Sequence, residues 1–357
     1  MNKDVLKIAV VSEDFFLSEK GGIKISPRGS NILLWNVIRI LIKSKGIKFD
    51  IYQSGIKDFV VEYKGLRIHT LKSKDFFEYK ERLKKTSFGV DVLHYNNIDL
   101  FNIKSKCITT ATIHQNDFLE RDSAYKWLNR KAPLFNSIVV VNDEYFKRYD
   151  HLGSKMKLIK NGIPLEIFGF KEKEFVKSKE IRILFPNLNS PKKNRDFALE
   201  LITKLNKGQT KYKLILTGES EELAIDKGLY DFVGRVEYGR DMTTLYQDFF
   251  INIVPSISES CSLCSLESMA CGTVVIANDI PGISNYITNK KEGYLVSTSN
   301  IDEWVSMIER LADSPKEYSV IANRARNTVE KEYNSERMAH DYYNLWVNLI
   351  KEKNGEA

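Results

Sequence analysis

Short apolar runs recur along this chain of 357 residues, separated by polar loops and by stretches with helical spacing. Apolar runs bounded by turn residues predict buried strands, and apolar positions three and four apart predict helices packed against them. In the first half we predict strands over residues 6–12, 49–53, 90–95, 107–113 and 137–142. In the second half we predict strands over residues 181–185, 213–218, 251–254 and 273–277. Strands that alternate with helices indicate an α/β protein with parallel sheets.

The first predicted strand leads into a Gly-rich loop and then into a helix. Residues 13–31 are rich in glycine, serine and charge and include Gly21 and Gly22, whereas residues 31–43 have helical spacing. Strand, Gly-rich loop and helix together form the first unit of a doubly wound fold. The loop has neither the GxGxxG nor the Walker spacing, so it is a weak signal by itself. Further helices are predicted over residues 75–85, 241–249, 301–313 and 316–352.

The most informative stretch is residues 254–278, where Glu259 and Glu267 have seven residues between them. The pattern predicts strand, turn, helix and strand, with Glu259 in the turn and Glu267 in the helix. Ser262 is the predicted cap of this helix and Gly272 its stop. The simplest alternative is that both glutamates are solvated on a surface helix, because glutamate is usually exposed.

The start of that helix would lie at the carboxyl edge of a parallel sheet, where open α/β sheets bind ligands. Backbone N–H groups at a helix N-terminus suit an anion, whereas carboxylates accept hydrogen bonds from hydroxyl groups. A sugar nucleotide presents both kinds of group, since it has a diphosphate and the hydroxyls of two sugars. The pattern is therefore compatible with a sugar-nucleotide site.

The stretch resembles the E-x7-E segment of retaining GT-B glycosyltransferases, specifically glycosyltransferase family 4. The usual form there is P-S-x-x-E-G-F-G-x-x-x-x-E-A-M-A-x-G-x-P-V-x-A. The matching positions here are Pro255, Ser256, Glu259, Glu267, Met269, Ala270, Gly272, Val275 and Ala277. Residues 157–163, 187–194, 230–235 and 292–296 also resemble segments of the family, in the same order.

The resemblance implies a GT-B fold, with two Rossmann-like doubly wound domains facing a cleft. It implies an N-terminal acceptor-binding domain over residues 1–163, joined by a C-terminal helix of about 338–357 that crosses back to it. The nucleotide-sugar-binding domain would then span residues 164–337.

The resemblance also implies roles for single residues. Lys193 would neutralise the leaving diphosphate, Glu259 would orient the hexose hydroxyls and His114 would contact the hexose. Glu267 would bind the ribose hydroxyls. The other donor-binding candidates are Gly21, Gly22, Val233, Gly234, Arg235, Ser260, Cys261, Ser262 and Leu263.

Four positions depart from the family pattern. Leu188 replaces an arginine, Ser260 and Ser262 replace the two glycines of the turn, and Asn285 replaces a glutamate. The departure at Leu188 removes one phosphate-binding cation, so that either Lys192 or Arg195 compensates for it or the donor is held more weakly.

Composition excludes several classes of protein. The apolar fraction of 43% suffices for real cores and excludes wholesale disorder. No apolar run approaches the ~18 residues of a membrane helix. The N-terminus enters a strand at once, without the pattern of a signal peptide, so we expect a cytoplasmic protein, at the inner face of the membrane if it contacts lipid. Cys261 and Cys264 form a C-x-x-C pair near Cys271, which we interpret as buried small residues rather than as a zinc or redox site.

The net charge of +7 is unevenly spread. Residues 1–165 hold 29 Lys+Arg and 18 Asp+Glu, a balance of +11, and residues 166–357 hold 25 and 29, a balance of −4. No nucleic-acid-binding motif accompanies the basic half, which favours an anionic membrane surface or an anionic lipid-linked acceptor. The alternatives are an ordinary basic surface and, for residues 75–85, an ordinary packed helix rather than a basic amphipathic helix on a membrane.

The predicted activity is metal-independent transfer of a hexose from a nucleotide diphosphate sugar, with UDP as the expected nucleotide and with retention at the anomeric carbon. The acceptor would be a glycan, lipid-linked or other cell-envelope molecule. We expect no cofactor and no metal, because the Asp-x-Asp pair of metal-dependent transferases is absent from the sequence. The alternatives are a sugar-nucleotide epimerase or phosphorylase on the same fold and a non-catalytic sugar-nucleotide-binding subunit.

Overall fold

The structure is a computed structural model of the 357-residue chain. It describes residues 5–19, 22–101, 105–114, 122–173, 180–186, 190–207, 211–218 and 221–356.

The chain forms two compact units. Unit 1 comprises Met1–Gly162 together with Ser335–Ala357, and unit 2 comprises Ile163–Asn334. The predicted divisions, after residue 163 and at about residue 338, lie close to these.

Unit 1 contains an eight-stranded sheet in the order β10-β9-β8-β7-β1-β4-β6-β5, with a separate hairpin formed by β2 and β3. The sheet is parallel except for the antiparallel pair of β5 and β6. Its strands and the hairpin are β1 (Lys7–Val11), β2 (Phe16–Glu19), β3 (Gly22–Ile25), β4 (Lys48–Gly55), β5 (Phe59–Tyr63), β6 (Leu66–Lys72), β7 (Val92–Tyr95), β8 (Ile108–Ile113), β9 (Ser137–Val140) and β10 (Met156–Leu158). The helices described in unit 1 are α1 (Gly29–Lys45), α2 (Phe76–Lys84), α3 (Asp122–Lys131), α4 (Asp143–Arg148) and the C-terminal α11 (Ser335–Asn354).

The central strands of unit 1 are buried on both faces, as expected for apolar runs covered by helices. Every residue of β7, β8 and β9 is buried. Helix α2 buries Tyr79 and Leu83 completely in this core and packs Phe76 against it, whereas Phe77 is exposed. The apolar stripe of residues 75–85 is therefore part of the core, as the packed-helix interpretation expected.

A buried polar chain fastens α11 to the sheet of unit 1. The hydroxyls of Thr112 and Tyr342 lie 2.8 Å apart, and Thr112 also lies 3.4 Å from Nε2 of His94. Nδ1 of His94 contacts the hydroxyl of Thr110 at 2.9 Å, and the indole N–H of Trp346 donates to the same hydroxyl. Burial lowers the pKa of His94 to about 3, so this histidine is neutral.

Unit 2 contains a six-stranded sheet in the order β13-β12-β11-β14-β15-β16, and every pair of neighbours is parallel. Numbered from its first strand, this is the order 3-2-1-4-5-6 of a Rossmann domain. The strands are β11 (Ile181–Phe185), β12 (Tyr212–Leu216), β13 (Tyr230–Phe232), β14 (Ile251–Val254), β15 (Val274–Ala277) and β16 (Tyr294–Leu295). The helices described are α5 (Arg195–Leu205), α6 (Arg240–Asp248), α7 (Leu263–Ala270), α8 (Pro281–Ser284), α9 (Ile301–Asp313) and α10 (Pro315–Glu332).

The predicted elements differ from the structure in several details. Residues 13–31 are not one loop, because they contain the β2–β3 hairpin, in which Phe16 pairs with Ile25. Strands β5, β6, β10 and β16 were not predicted. The helical stretch 316–352 is two helices, since α10 ends at Glu332 and α11 begins at Ser335.

Candidate functional site

The strand order of unit 2 reverses between β11 and β14, which are hydrogen-bonded neighbours. In open α/β sheets, ligands bind outside the carboxyl ends of the strands at such a switch point. Lys193 follows β11, in the 3-10 turn Pro191–Lys193, and Glu259 follows β14. The topology therefore brings these two residues, 66 positions apart, to the same place.

Lys193 and Glu259 form an ion pair with 2.5 Å between Nζ and Oε1. Their side chains are only 17% and 13% exposed. A backbone hydrogen bond of 2.8 Å from the N–H of Ile257 to the carbonyl of Lys192 joins the two loops. Burial by itself would lower the pKa of Lys193, but the neighbouring Cys264 and Glu259 outweigh it and the pKa is raised. Lys193 is therefore a fixed cation at the switch point.

Helix α7 begins beside this pair, with Ser262 at its N-cap position. The Ser262 side chain does not cap the helix, contrary to the prediction: its hydroxyl contacts Sγ of Cys264 at 3.1 Å and accepts from the hydroxyl of Ser265 at 2.9 Å. By helix geometry the first N–H groups of α7 have no partner within the helix, and they carry its positive dipole end. Ser260, Cys261 and Leu263 are partly exposed here. This helix end suits an anion.

Glu267 lies in α7 and is only 4% exposed. The hydroxyl of Tyr246, on α6, donates to Oε2 of Glu267 at 2.9 Å. Burial raises the pKa of Glu267 to about 8, against the opposing effect of that hydrogen bond. The alternative of two solvated surface glutamates is wrong, because neither Glu259 nor Glu267 has an exposed side chain.

The residues predicted to meet the nucleobase follow β13. Gly234 has a φ of 76° and its carbonyl accepts from the N–H of Gly218 at 2.8 Å. Val233 is 38% exposed and Arg235 is also exposed. These residues lie at the same carboxyl edge of the unit 2 sheet as Lys193.

Among the unit 1 candidates, His114 lies at the carboxyl edge of the other sheet. His114 directly follows β8 and is partly exposed, and desolvation by burial lowers its pKa to about 4, so it is neutral at pH 7. Gly22 opens β3 of the hairpin. Gly21 and Leu188 lie outside the described residues. Asn285, at the C-cap of α8, has a buried side-chain amide nitrogen.

Sequence reasoning missed a polar cluster at the switch point of unit 1, where β1 lies between β4 and β7. Asn31, in the first turn of α1, accepts from the Ser12 hydroxyl at 3.1 Å and from the Asn96 amide at 2.8 Å. Ser12 and Asn96 follow β1 and β7, and all three side chains are buried. Each residue alone is an ordinary polar residue next to a strand or helix, so only the topology reveals the cluster.

Among the residues that the structure describes, no group of three or more His, Cys, Asp and Glu side chains could hold a metal ion. Cys264 and Cys271 are buried and Cys261 is partly exposed, all as free thiols. Of the helices described, none has the length and apolar character needed to span a bilayer.

Two doubly wound α/β units in one chain define the GT-B class of fold, and known structures agree. The structure of sucrose-phosphate synthase from Thermosynechococcus elongatus matches with a TM-score of 0.76 at 17% identity, over 97% of this chain and 100% of that one. HepE from Anabaena in complex with UDP and glucose matches with a TM-score of 0.74 at 12% identity, over 96% and 100%. The predicted fold class is confirmed.

Residues 167–328, which fall within unit 2, match the family described as glycosyl transferases group 1. D-inositol 3-phosphate glycosyltransferase of Saccharomonospora viridis is 30% identical over 31% of this chain and 26% of its own length. An uncharacterised glycosyltransferase of Haemophilus influenzae is 27% identical over 36% of this chain and 38% of its own length. These matches thus span well under half of those relatives. The matched domain and the relatives' names support the prediction of a glycosyltransferase enzyme.

Proposed function

We propose that this protein is a retaining, metal-independent glycosyltransferase that moves a hexose from a UDP-sugar to a glycan or lipid-linked acceptor. The observation that carries the proposal is the Lys193–Glu259 pair at the switch point of unit 2, beside the N-terminus of α7. A cation and a helix N-terminus suit a diphosphate, and an adjacent carboxylate suits sugar hydroxyls. The structure of HepE with UDP and glucose supports the choice of nucleotide.

In this proposal the diphosphate of the donor takes the place of Glu259 as the partner of Lys193. Lys193 and the N–H groups of α7 then stabilise the negative charge that develops on the leaving nucleoside diphosphate. The released Glu259 carboxylate accepts hydrogen bonds from the hexose. The leaving phosphate itself accepts the proton of the acceptor hydroxyl, so no protein base is assigned. Retention rests on the resemblance of the E-x7-E segment, and the anomeric configuration of the product tests it by NMR.

Glu267 is assigned to the ribose hydroxyls. Tyr246 occupies only Oε2, so Oε1 is the atom assigned to the ribose. Val233, Gly234 and Arg235 are assigned to the base. On unit 1, His114 is assigned to the hexose, and its neutral ring can donate from one nitrogen and accept at the other.

The acceptor is assigned to unit 1. The positive balance of residues 1–165 suits an anionic acceptor at a membrane surface. Co-sedimentation with phosphatidylglycerol vesicles, but not with phosphatidylcholine vesicles, is the expected result. Equal sedimentation with both would remove the membrane from the proposal.

A thermal-shift screen with UDP-, GDP- and ADP-glucose, repeated with EDTA, tests the donor. A ligand at about 100 times its Kd stabilises a protein by about 2.7 kcal/mol, so a specific donor raises Tm by several degrees. We expect the shift with UDP-glucose only, undiminished by EDTA. A shift only with GDP- or ADP-glucose would overturn the nucleotide, and a shift that EDTA abolishes would overturn metal independence. Donor binding without turnover across a broad acceptor panel would favour the binding-subunit alternative.

A further inference from the structure

Gly282 packs against the backbone of Glu259. A Cβ at residue 282 would lie 1.8 Å from the carbonyl oxygen of Glu259, 2.4 Å from its carbonyl carbon and 3.0 Å from its Cβ. The first two distances are far below any tolerable contact, and the atoms are backbone atoms that no side-chain rotation can move. Only glycine fits at residue 282 while Glu259 keeps this position.

The requirement for glycine is one of space rather than of backbone conformation. Gly282 lies inside the short helix α8, and its φ is outside the left-handed region. Alanine is favoured over glycine in a helix by ~1 kcal/mol, so local structure alone would prefer alanine here. A methyl group at residue 282 is therefore unfavourable because it would clash with Glu259, not because of the backbone conformation of α8.

The loop that carries Glu259 is held on its other side as well. The N–H of Ile257 donates to the carbonyl of Lys192, and the side chain of Glu259 is paired with Lys193. Further along, the Asn278 amide donates to the carbonyl of Ser256 at 2.9 Å. The loop is thus fixed between the turn that follows β11 and the start of α8, and it has little freedom to yield to a methyl group.

We infer that Gly282 is a positioning residue for Glu259. Because residue 282 has no side chain, α8 packs directly against the Glu259 backbone and holds the carboxylate beside Lys193, where the hexose of the donor would bind. The role in sugar binding rests on the proposed function, whereas the steric relationship does not. Gly282→Ala should therefore displace Glu259 and weaken recognition of the sugar while leaving recognition of the nucleotide intact.

A crystal structure of Gly282→Ala tests the steric part without any ligand. We expect the Glu259 carbonyl to move by about 1 Å or more and the pair with Lys193 to break, because contacts under 3 Å force a shift. Glu259 in place, with α8 moved instead, would overturn the inference. Gly169→Ala is the matched control, since its Cβ would meet nothing closer than 3.9 Å.

Calorimetric titration with UDP and with UDP-glucose tests the functional part in a double-mutant cycle with Glu259→Gln. The Kd for UDP divided by the Kd for UDP-glucose reports the contribution of the sugar to binding. We expect Gly282→Ala to lower that ratio about as much as Glu259→Gln does, and the double variant to be no worse than either. Additive losses, or an equal loss for UDP alone, would overturn the inference. Wild-type protein that binds neither compound would instead refute the proposed donor, and the crystal structure would still decide the steric relationship.

Discussion

The hydroxyl of Tyr246 donates a 2.9 Å hydrogen bond to the carboxyl group of Glu267, and both side chains are buried. The bond joins α6 to α7 and fixes the orientation of the carboxyl group. A variant that lacks this hydrogen bond keeps the Glu267 carboxyl group but no longer fixes its orientation.

Tyr246→Phe should reduce the free energy of unfolding by about 1–2 kcal/mol, because a buried acceptor loses its donor. The same bond lowers the pKa of Glu267, so the variant should also raise that pKa further. We expect the KM for the donor to rise several fold with a smaller change in kcat. Tyr230→Phe is the control: Tyr230 accepts from the N–H of Leu223, so stability should fall without a change in KM. An unchanged KM in Tyr246→Phe would contradict the ribose role of Glu267.

Glu267→Gln should change the pH dependence of stability. Burial raises the pKa of Glu267 to about 8 from 4.5, so the folded protein holds this proton more tightly than the unfolded chain. The resulting stabilisation is complete below pH 4.5 and is lost as the pH rises through about 8, by on the order of 3–5 kcal/mol. Glutamine stays neutral at every pH. The free energy of unfolding of the variant, measured by urea titration, should therefore rise relative to that of the wild type between pH 5 and about 8.5. The other carboxylates contribute equally to both proteins, so their effect cancels when the two free energies of unfolding are compared at the same pH. A difference that stays constant with pH would refute the raised pKa of Glu267.

Lys193→Ala should mainly reduce kcat. The loss of one preorganised group that stabilises transition-state charge costs about 3–4 kcal/mol, a factor of ~10²–10³. Release of UDP from the donor, followed at saturating donor concentration, measures the effect. Lys227→Ala removes an exposed lysine that pairs with Glu222 and should leave turnover unchanged. Normal turnover in Lys193→Ala would reject this residue as the cation for the leaving group.

Tyr342→Phe should loosen α11 from the sheet of unit 1. The variant loses the 2.8 Å contact with Thr112 and should lower the free energy of unfolding by about 1–2 kcal/mol in urea. Tyr343→Phe is the matched neighbour: its partly exposed ring lies under Nζ of Lys45 and is retained by phenylalanine, so a change within about 0.5 kcal/mol is expected. Equal losses in both variants would show that the Thr112 contact does not anchor the helix.

The sequence predicted those parts of the fold in which local pattern and tertiary environment agree. Strands β11 and β14 and helix α9 have the bounds that were predicted. Each is a clear local pattern, an apolar run in the two strands and one apolar stripe in the helix, and the core lies where that pattern expects it. The β2–β3 hairpin was missed because its strands are only four residues each and lie in a stretch rich in glycine, serine and charge, a composition typical of a loop. The break at Tyr333 and Asn334 was missed because neither glycine nor proline marks it.

The candidate site was predicted as a set of residues but not as a set of contacts. The spacing of Glu259 and Glu267 singled out both, yet it carried no information about their partners. Lys193 lies 66 residues before Glu259 and reaches it only because β11 and β14 are neighbours. Tyr246 reads in the sequence as one more aromatic core residue of a helix. Such pairings depend on strand order, which the periodicity of a single segment does not encode.

The division of the chain has a consequence for biosynthesis. Unit 2 is one uninterrupted segment. Unit 1 is complete only when it includes α11, which the ribosome makes after the whole of unit 2. Because domains generally fold as units during synthesis, unit 2 should reach its native state first, while the earlier-made strands of unit 1 stay incomplete. A released chain that ends at Asn334 should therefore resist protease over residues 163–334 and be cut within residues 1–162.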